Sequence, residues 1–213
     1  MREQSFVDQI ILHADTFLRV LFVPQQRPHQ RENPAKNIPD TTLTLAEKKH
    51  VAGLMRVNHA GEVCAQALYQ GQALTAKLEQ VRTQMVLAAS EEIDHLAWCE
   101  ERLKELESTT SVLNPVWYVG SFFIGALAGF IGDALSLGFV AETERQVTAH
   151  LNQHLDRLPQ HDLKTKVILE QMKTDEIAHA NAAVAAGGKE LPSLIKKLMY
   201  ATSKLLTTAS YKI

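Results

Sequence analysis

The chain has 213 residues, of which 46% are hydrophobic and 22% charged, as in globular proteins of one or two domains. Its 22 basic and 24 acidic residues leave no basic excess, which argues against nucleic acid as a partner. Cys64 and Cys99 lack zinc-ligand spacing and are too few for a disulfide framework, so we expect two core residues in a protein of the reducing cytosol.

The N-terminal stretch is predicted to form a short amphipathic helix and an extended arm. In residues 5–23, apolar residues alternate with polar ones such as Asp8 and Asp15, and Pro24 ends the pattern. These acidic residues, with no small-residue cleavage site after them, argue against a signal peptide. Residues 24–43 carry four prolines among polar residues, which is typical of an extended arm.

A long helix is predicted from the capping box Thr44–Glu47 to about residue 77. One face of this helix follows a spacing of three to four residues. That face consists of Val51, Met55, Asn58, Glu62, Ala65 and Tyr69. Glu62 therefore interrupts a core-facing stripe, and the small neighbour Gly61 leaves room around it. A partly exposed glutamate at the edge of the stripe is the alternative.

The second predicted helix spans about residues 79–107 and carries a carboxylate and an imidazole on its apolar face. Its stripe consists of Val81, Met85, Ala88, Glu92, His95, Cys99, Leu103 and Leu106. Glu92 and His95 are three residues apart, which places them side by side on one face. Burying an unpaired carboxylate there would cost several kcal/mol, on the order of the penalties known for buried polar groups.

The following stretch, residues 108–132, contains no charged residue. Its length would suit a transmembrane helix, but Pro115 and several glycines interrupt it and Asp133 follows at once. We therefore expect a buried or membrane-touching connection rather than a span. The Gly125-x-x-x-Gly129 spacing is expected to reflect close packing inside the fold.

The third predicted bundle helix, about 133–156, offers two glutamates. Its stripe consists of Leu137, Val140, Glu144, Val147, Leu151 and Leu155. Glu142 is two residues from Glu144 and points to nearly the opposite side of the helix, beside Arg145. We therefore expect Glu144 to face the core and Glu142 to face solvent.

The fourth predicted bundle helix, about 162–186, repeats the motif of the second. Its face consists of Leu169, Met172, Glu176, His179 and Ala183. Gly187-Gly188 is expected to end it, and Pro192 to open a last amphipathic helix.

The chain thus reads Glu, then Glu-x-x-His, twice over, with 30 residues between the glutamates of the first half and 32 in the second. Two Glu-x-x-His helices and two further helices that each supply one glutamate are the arrangement of ferritin-like di-iron or di-manganese bundles. We therefore predict an all-α ferritin-like four-helix bundle in residues 44–213, with a long crossover and extra N- and C-terminal amphipathic helices. Residues 1–43 form the N-terminal helix and arm. The predicted metal ligands are Glu62, Glu92, His95, Glu144, Glu176 and His179.

Four carboxylates and two imidazoles suit iron or manganese, and two divalent cations would neutralise the four negative charges. An acidic bundle core without metal is the alternative, and it would leave four buried carboxylates unpaired. Glu91 and Asp175, which precede the two motifs, could orient the histidines or could be ordinary surface acids. Arg56, His59, His150 and His154 remain without an assigned role.

The residues also resemble a known family, the demethoxyubiquinone hydroxylases. Arg56-Val57-Asn58-His59-Ala60-Gly61-Glu62 resembles the first-helix motif of these di-iron monooxygenases. The segments 92–95, 142–147 and 176–179 resemble the remaining ligand segments in the same order. The resemblance covers about residues 44–213, and the N-terminal arm resembles the bacterial branch. The chain departs from the eukaryotic pattern of two adjacent glutamates, since it has Glu142-Thr143-Glu144.

The resemblance implies two iron ions per chain, O2 as co-substrate and insertion of one oxygen atom into a quinol ring. It implies the substrate 2-polyprenyl-3-methyl-6-methoxy-1,4-benzoquinol, in ubiquinone biosynthesis, and no catalytic side chain beyond the metal ligands. It also implies peripheral attachment to the cytoplasmic face of the bacterial cell membrane and an accessory lipid-binding protein of the pathway as a partner. The uncharged stretch 108–132 would let the polyprenyl tail stay in lipid while the ring reaches the site.

Two other functions share these ligands or this apolar character. A ferritin-like protein that stores or oxidises iron would need no apolar crossover and would present a polar, cage-forming exterior. A lipid or quinone carrier would use the carboxylates only structurally and would bind no metal.

Overall fold

The computed structural model describes residues 6–22 and 31–213, which form seven helices. These helices are α1 (Phe6–Phe22), α2 (Leu45–Thr75), α3 (Glu79–Glu105), α4 (Asn114–Ile131), α5 (Asp133–Arg157), α6 (Leu163–Ala185) and α7 (Ser193–Lys212). The all-α prediction is confirmed. Pro24, Pro28 and both ends of the predicted N-terminal helix lie outside the described residues.

Four helices build the bundle that the repeat predicts. α2 packs against α3 and α5 packs against α6, so each half of the repeat is a helical hairpin. Contacts of α3 with α6 and of α2 with α5 join the two hairpins. The predicted apolar faces point inward, since most of their members are buried and only Ala88, Val147, Leu155 and His179 are half-buried.

The helix ends follow from the residues that the sequence places there. At the start of α2, Thr44 Oγ1 accepts a hydrogen bond from the Glu47 backbone N–H (3.3 Å), and the Glu47 carboxylate accepts one from the Thr44 N–H (2.9 Å). This is the predicted capping box. At the start of α6, Asp162 accepts hydrogen bonds from the Thr165 N–H (3.1 Å) and from the buried Arg102 guanidinium (2.9 Å). The cap of α6 therefore also ties it to α3.

The uncharged connection forms α4, which crosses over the outer side of α2. Gly125 meets α2 so closely that a Cβ atom built on it would lie 2.2 Å from the Leu68 carbonyl oxygen. The expectation that these glycines reflect close packing within the fold is thus confirmed. Of the two expected possibilities, a buried or a membrane-touching connection, α4 does not fit the buried one, because only its residues Asn114, Tyr118, Gly125 and Gly129 are buried. The membrane-touching connection stays a prediction.

The other face of α4 is exposed and apolar. Its exposed residues are Val116, Val119, Phe123, Ile124, Leu127, Phe130 and Ile131. Within the described ranges, α4 is the one helix whose length and composition would suffice to cross a bilayer. The side chains of α1 and α7 continue this apolar character, with Ile11, Leu12, Leu18 and Phe22 exposed on α1 and Leu194, Leu198 and Leu205 exposed on α7.

The terminal segments pack on the bundle from different sides. α1 contacts α2 and α4, where Phe17 meets the Tyr118 ring edge-on at 5.0 Å between centroids. α7 packs on α2 and α5, and Arg56 anchors its end by donating to the Tyr211 carbonyl (2.9 Å). The irregular residues 31–43 run beside α3, where Asn33 donates to Glu101 (2.7 Å).

Candidate metal centre

The six predicted ligands come together in the centre of the bundle. Glu62 lies on α2, Glu92 and His95 on α3, Glu144 on α5, and Glu176 and His179 on α6. They form two overlapping groups whose ligand atoms lie within 4.8 Å of one another. The first group is Glu62, Glu92, His95 and Glu176, and the second is Glu92, Glu144, Glu176 and His179. Glu92 and Glu176 belong to both groups, so the geometry suits two neighbouring cations that share them.

The ligand atoms of this cluster are only partly satisfied by hydrogen bonds to one another. Glu92, Glu144 and Glu176 each have one buried carboxylate oxygen that receives no hydrogen bond within the described part of the chain. Nδ1 of His95 faces Glu92 (3.1 Å) and Glu176 (3.2 Å), and Nδ1 of His179 faces Glu176 (3.2 Å). Native proteins rarely leave buried oxygens unsatisfied, so the residues fit a metal-binding centre.

The pKa values of the clustered side chains indicate that the carboxylates favour positive charge between them. Burial, with the charges of Glu92 and Glu176, raises the pKa of Glu62 well above its ordinary value, and burial with the same two charges does so for Glu144. Burial would lower the pKa of His179, but hydrogen bonds to Glu176 and Glu92 raise it to about 12. Cations bound between these carboxylates would balance their charge and oppose the upward shifts of the pKa values of Glu62 and Glu144.

The outer nitrogen of each histidine is held by a carboxylate from the other motif. Nε2 of His95, on α3, lies 2.9 Å from an oxygen of Asp175 on α6. Nε2 of His179, on α6, makes a short contact with Glu91 on α3. Such carboxylate–histidine pairs fix the ring orientation of metal-binding histidines. Of the two roles left open for Glu91 and Asp175, the contacts favour orientation of the histidines.

The two glutamates of α5 have different surroundings. Glu144 is 1% exposed and lies in the cluster, and the Tyr69 hydroxyl donates a short hydrogen bond to it. Glu142 lies outside the cluster. It accepts a hydrogen bond from Gln146 (2.8 Å) and forms an ion pair with Lys196 (3.6 Å). Glu142 is half-buried by this pairing with α7, so the expectation of a solvent-facing residue needs this correction.

Two residues beside the cluster were missed by sequence reasoning. Tyr69 was predicted only as a member of the α2 stripe, although its position two turns after Glu62 places it on the same face. Arg31 was not singled out at all, yet its guanidinium bonds Asp94 and Asp175 next to His95. It belongs to the irregular arm, so no periodic pattern could reveal it.

The residues without an assigned role make structural contacts. Arg56 donates to Thr109, Ser108 and Tyr211 around the α3–α4 connection and the end of α7. His59 accepts a hydrogen bond from Asn114 (3.2 Å) at Nδ1 and contacts Glu100 (3.1 Å) through Nε2. Buried His154 contacts the Asn58 amide oxygen (2.8 Å) through Nδ1, while His150 lines two cavities.

A largely apolar cavity of about 310 Å³ leads to the cluster between α2, α4, α5 and α7. Glu62 and Asn58 line it on α2, and Phe139 and Val147 line it on α5. Its lining also includes the exposed apolar residues Ile124 on α4 and Ile195 and Leu198 on α7. The cavity therefore connects a cluster carboxylate with the apolar surface of the molecule.

Comparison with known proteins gives a consistent set of relatives. The sequence model of the family described as "Ubiquinone biosynthesis protein COQ7" matches residues 49–210. A Legionella pneumophila (strain Corby) protein named 3-demethoxyubiquinol 3-hydroxylase is 62% identical over the full length of both chains. Proteins of the same name from Acinetobacter baylyi and Acinetobacter baumannii are 59% and 58% identical, over 100% and 99% of both chains respectively.

Proposed function

Because the chain belongs to the COQ7 family of ubiquinone biosynthesis proteins, we propose that it hydroxylates 2-polyprenyl-3-methyl-6-methoxy-1,4-benzoquinol with O2 at a centre of two iron ions. Relatives named 3-demethoxyubiquinol 3-hydroxylase, at 58% to 62% identity over essentially the whole chain, support this reaction. The observation that carries the proposal is the apolar cavity, because it leads from exposed apolar surface to Glu62.

The proposed ligands are the six clustered residues. Glu62 and His95 would hold one iron and Glu144 and His179 the other, while Glu92 and Glu176, which belong to both groups, would serve both. When bound, a reduced di-iron centre supplies the electrons for O2 activation, and an external donor restores them. The protein contributes a fixed and largely water-free set of donors, in which the outer carboxylates hold both imidazole rings in place.

The cavity suits a quinol ring with an apolar tail. Most of its surface is apolar and formed by aliphatic side chains and Phe139, and its polar lining residues include Asn58 and His150. Burial, followed by the charge of Arg157, lowers the pKa of His150 to about 4, so its ring is neutral near pH 7 and can face a quinol oxygen without carrying charge. We propose that the ring lies beside Glu62 while the tail leaves between Ile124 and Leu198.

The tail would then reach lipid, and we propose peripheral binding to the cytoplasmic face of the cell membrane. Exposed apolar residues of α4 and α7 border the cavity and would enter the interface. Lys197 and Lys204 are both exposed, so both can meet anionic head groups. Lys196 is instead paired with Glu190 (2.7 Å) and Glu142 (3.6 Å). An accessory lipid-binding protein of the same pathway is a proposed partner at this apolar surface.

Iron storage without an organic substrate is the weaker candidate. The names of the relatives specify a hydroxylase, and storage gives no reason for a cavity lined by aliphatic residues at a cluster ligand.

The direct test supplies the demethoxy quinol and O2 to reduced, iron-loaded protein and analyses the product by mass spectrometry. A product heavier by one oxygen atom, labelled when 18O2 is used, is the expected result. Iron oxidation without any change of the quinol would contradict the hydroxylase and favour storage.

A further inference from the structure

The two halves of the candidate metal centre differ in how their histidines are held from outside. Asp175, which contacts His95, has 15% of its side chain exposed, whereas Glu91, which contacts His179, has 53% exposed. Within the described residues, Glu91 has no Lys or Arg side chain within ion-pair distance, but Asp175 has Arg31 at 2.8 Å. Arg31, which lies outside the repeat, therefore makes the surroundings of the two histidines unequal.

Arg31 has a well-defined place between α3 and α6. Its Nε donates to Asp94 on α3 (2.8 Å) and its Nη1 donates to Asp175 on α6 (2.8 Å). The guanidinium carbon lies 4.9 Å from the centre of the Trp98 ring, and the Arg31 backbone N–H donates to Asp94 (3.3 Å). A planar guanidinium is suited to such a bridge because its donors are rigidly arranged.

The bridge constrains the carboxylate that holds His95. One oxygen of Asp175, Oδ2, contacts both Arg31 Nη1 (2.8 Å) and His95 Nε2 (2.9 Å), while Gln171 donates to the other oxygen (2.9 Å). Both oxygens of this carboxylate are thus hydrogen-bonded, and its contact with Nε2 orients the His95 ring with Nδ1 toward the cluster. Nothing equivalent among the described residues constrains Glu91.

We propose that Arg31 is a positioning residue for one of the two metal positions, the one served by Glu62 and His95, and makes that position the tighter of the two. The inference rests on the proposed metal-binding function. It assigns to the N-terminal arm a role in the centre that the bundle helices alone do not supply.

The test is metal binding rather than turnover. Co(II) is titrated anaerobically into metal-free protein, and both dissociation constants are determined by equilibrium dialysis. Arg31→Gln is expected to weaken one binding step about tenfold, the lower end of the effect known for groups that orient metal ligands, and to leave the other step unchanged. Lys36→Gln, which removes an exposed ion pair with Glu32 in the same arm, is the matched control and should change neither step.

Two backgrounds identify the affected position. Glu144→Gln removes a ligand of the His179 position, so the remaining tight step belongs to the His95 position, and adding Arg31→Gln should weaken it. Glu62→Gln does the reverse, and adding Arg31→Gln there should leave the remaining step unchanged. Equal weakening in both backgrounds would overturn the proposal, because it would show a general structural effect.

Arg31→Lys separates orientation from charge. A lysine restores the positive charge but cannot bridge Asp94 and Asp175 with a rigid fork, so it should recover only a small part of the lost affinity. Full recovery would overturn positioning in favour of charge alone. Wild-type protein that fails to bind two Co(II) ions would contradict the proposed function itself, whereas normal binding that Arg31→Gln leaves unchanged would contradict only this inference.

Discussion

The direction of the side chain decides which of the two glutamates Glu142 and Glu144 can bind metal. Glu144 has a buried oxygen that receives no hydrogen bond from the described residues, whereas the Glu142 carboxylate contacts Gln146 and Lys196. We expect Glu144→Gln to lower hydroxylation by more than about hundredfold, beyond the range seen for groups that only orient ligands. Glu142→Gln should keep most of the activity. Turnover and iron content of both purified variants test this, and the reverse order would contradict the ligand set.

His154 should make the fold sensitive to acid. Burial, together with the charges of His150, Arg157 and His50, lowers the pKa of His154 to about 2. Below the ordinary pKa of about 6.5 the unfolded chain gains a proton that the folded protein does not, so stability falls as the pH drops. For this group alone the loss is about 2 kcal/mol at pH 5 relative to neutral pH.

Urea unfolding at pH 7 and pH 5 measures this effect. His154→Gln removes the titrating group, so its free energy of unfolding should change less between the two pH values than that of the wild type, whatever its absolute stability. An identical pH dependence in both proteins would show that His154 is not the acid-sensitive group.

The sequence predicted the six clustered side chains because each lies on a helical stripe, where a period of 3.6 residues fixes the facing direction. It could not predict Arg31, which is 63 residues from Asp94 and 144 from Asp175 and belongs to an irregular segment. Glu91 and Asp175 lie between these cases. Their positions next to the motifs could be read from the sequence. That each contacts the histidine of the other motif could not, because this depends on how α3 packs on α6.

The helix α4 can pack closely on α2 only because it has a glycine at the contact. A Cβ atom at Gly125 would lie 2.2 Å from the Leu68 carbonyl oxygen, which is backbone and cannot move aside by a rotamer change. We expect Gly125→Ala to lower the free energy of unfolding by about 1–3 kcal/mol, the range of overpacked sites. Among the described residues, an added Cβ atom at Gly120 on the same helix meets nothing within 4 Å, so Gly120→Ala should be neutral or stabilise by up to about 1 kcal/mol.

Denaturant unfolding of the two alanine variants checks this pair. Equal stability of the variants would contradict the close packing of α4 on α2. Metal content should be unchanged in Gly120→Ala, because that residue is exposed and lies outside the cluster.

Helix boundaries were predictable wherever a cap or breaker stood in the sequence. Thr44 with Glu47 begins α2, and Gly187, with a φ of 98°, follows the end of α6. The extent of burial of α4 was not predictable, because an uncharged stretch of this length suits both a core helix and an interfacial helix. Which of its faces is covered follows from the position of α2, and that depends on the assembled bundle.

The whole molecule is organised as two similar hairpins that exchange their outer carboxylates. Each half supplies one glutamate, one Glu-x-x-His motif and one acid that holds the histidine of the other half. Neither hairpin can form a complete position alone, since Glu92 and Glu176 contribute to both groups. Metal binding and association of the hairpins should therefore be coupled.

Binding of the protein to a membrane should depend on the exposed apolar residues of α4. Phe123 and Phe130 of α4 are 67% and 72% exposed, and burying a phenylalanine side chain in an apolar phase contributes about 1.5–3 kcal/mol. Replacing both by Gln should weaken binding to vesicles of zwitterionic and anionic lipids by at least about tenfold, even if the rings enter only partly. Leu163→Gln with Val184→Gln on α6, also exposed apolar positions, is the matched control and should bind as wild type.

Vesicle flotation measures this binding, and the iron content of each variant verifies that the bundle is intact. A peripheral protein held by side chains should also leave native membranes in carbonate. Release only by detergent would instead mean that α4 spans the bilayer. In that case, replacing the two phenylalanines would have little effect on membrane binding. Equal loss in the α6 control would show that general surface hydrophobicity, rather than the α4 surface beside the cavity, drives the association.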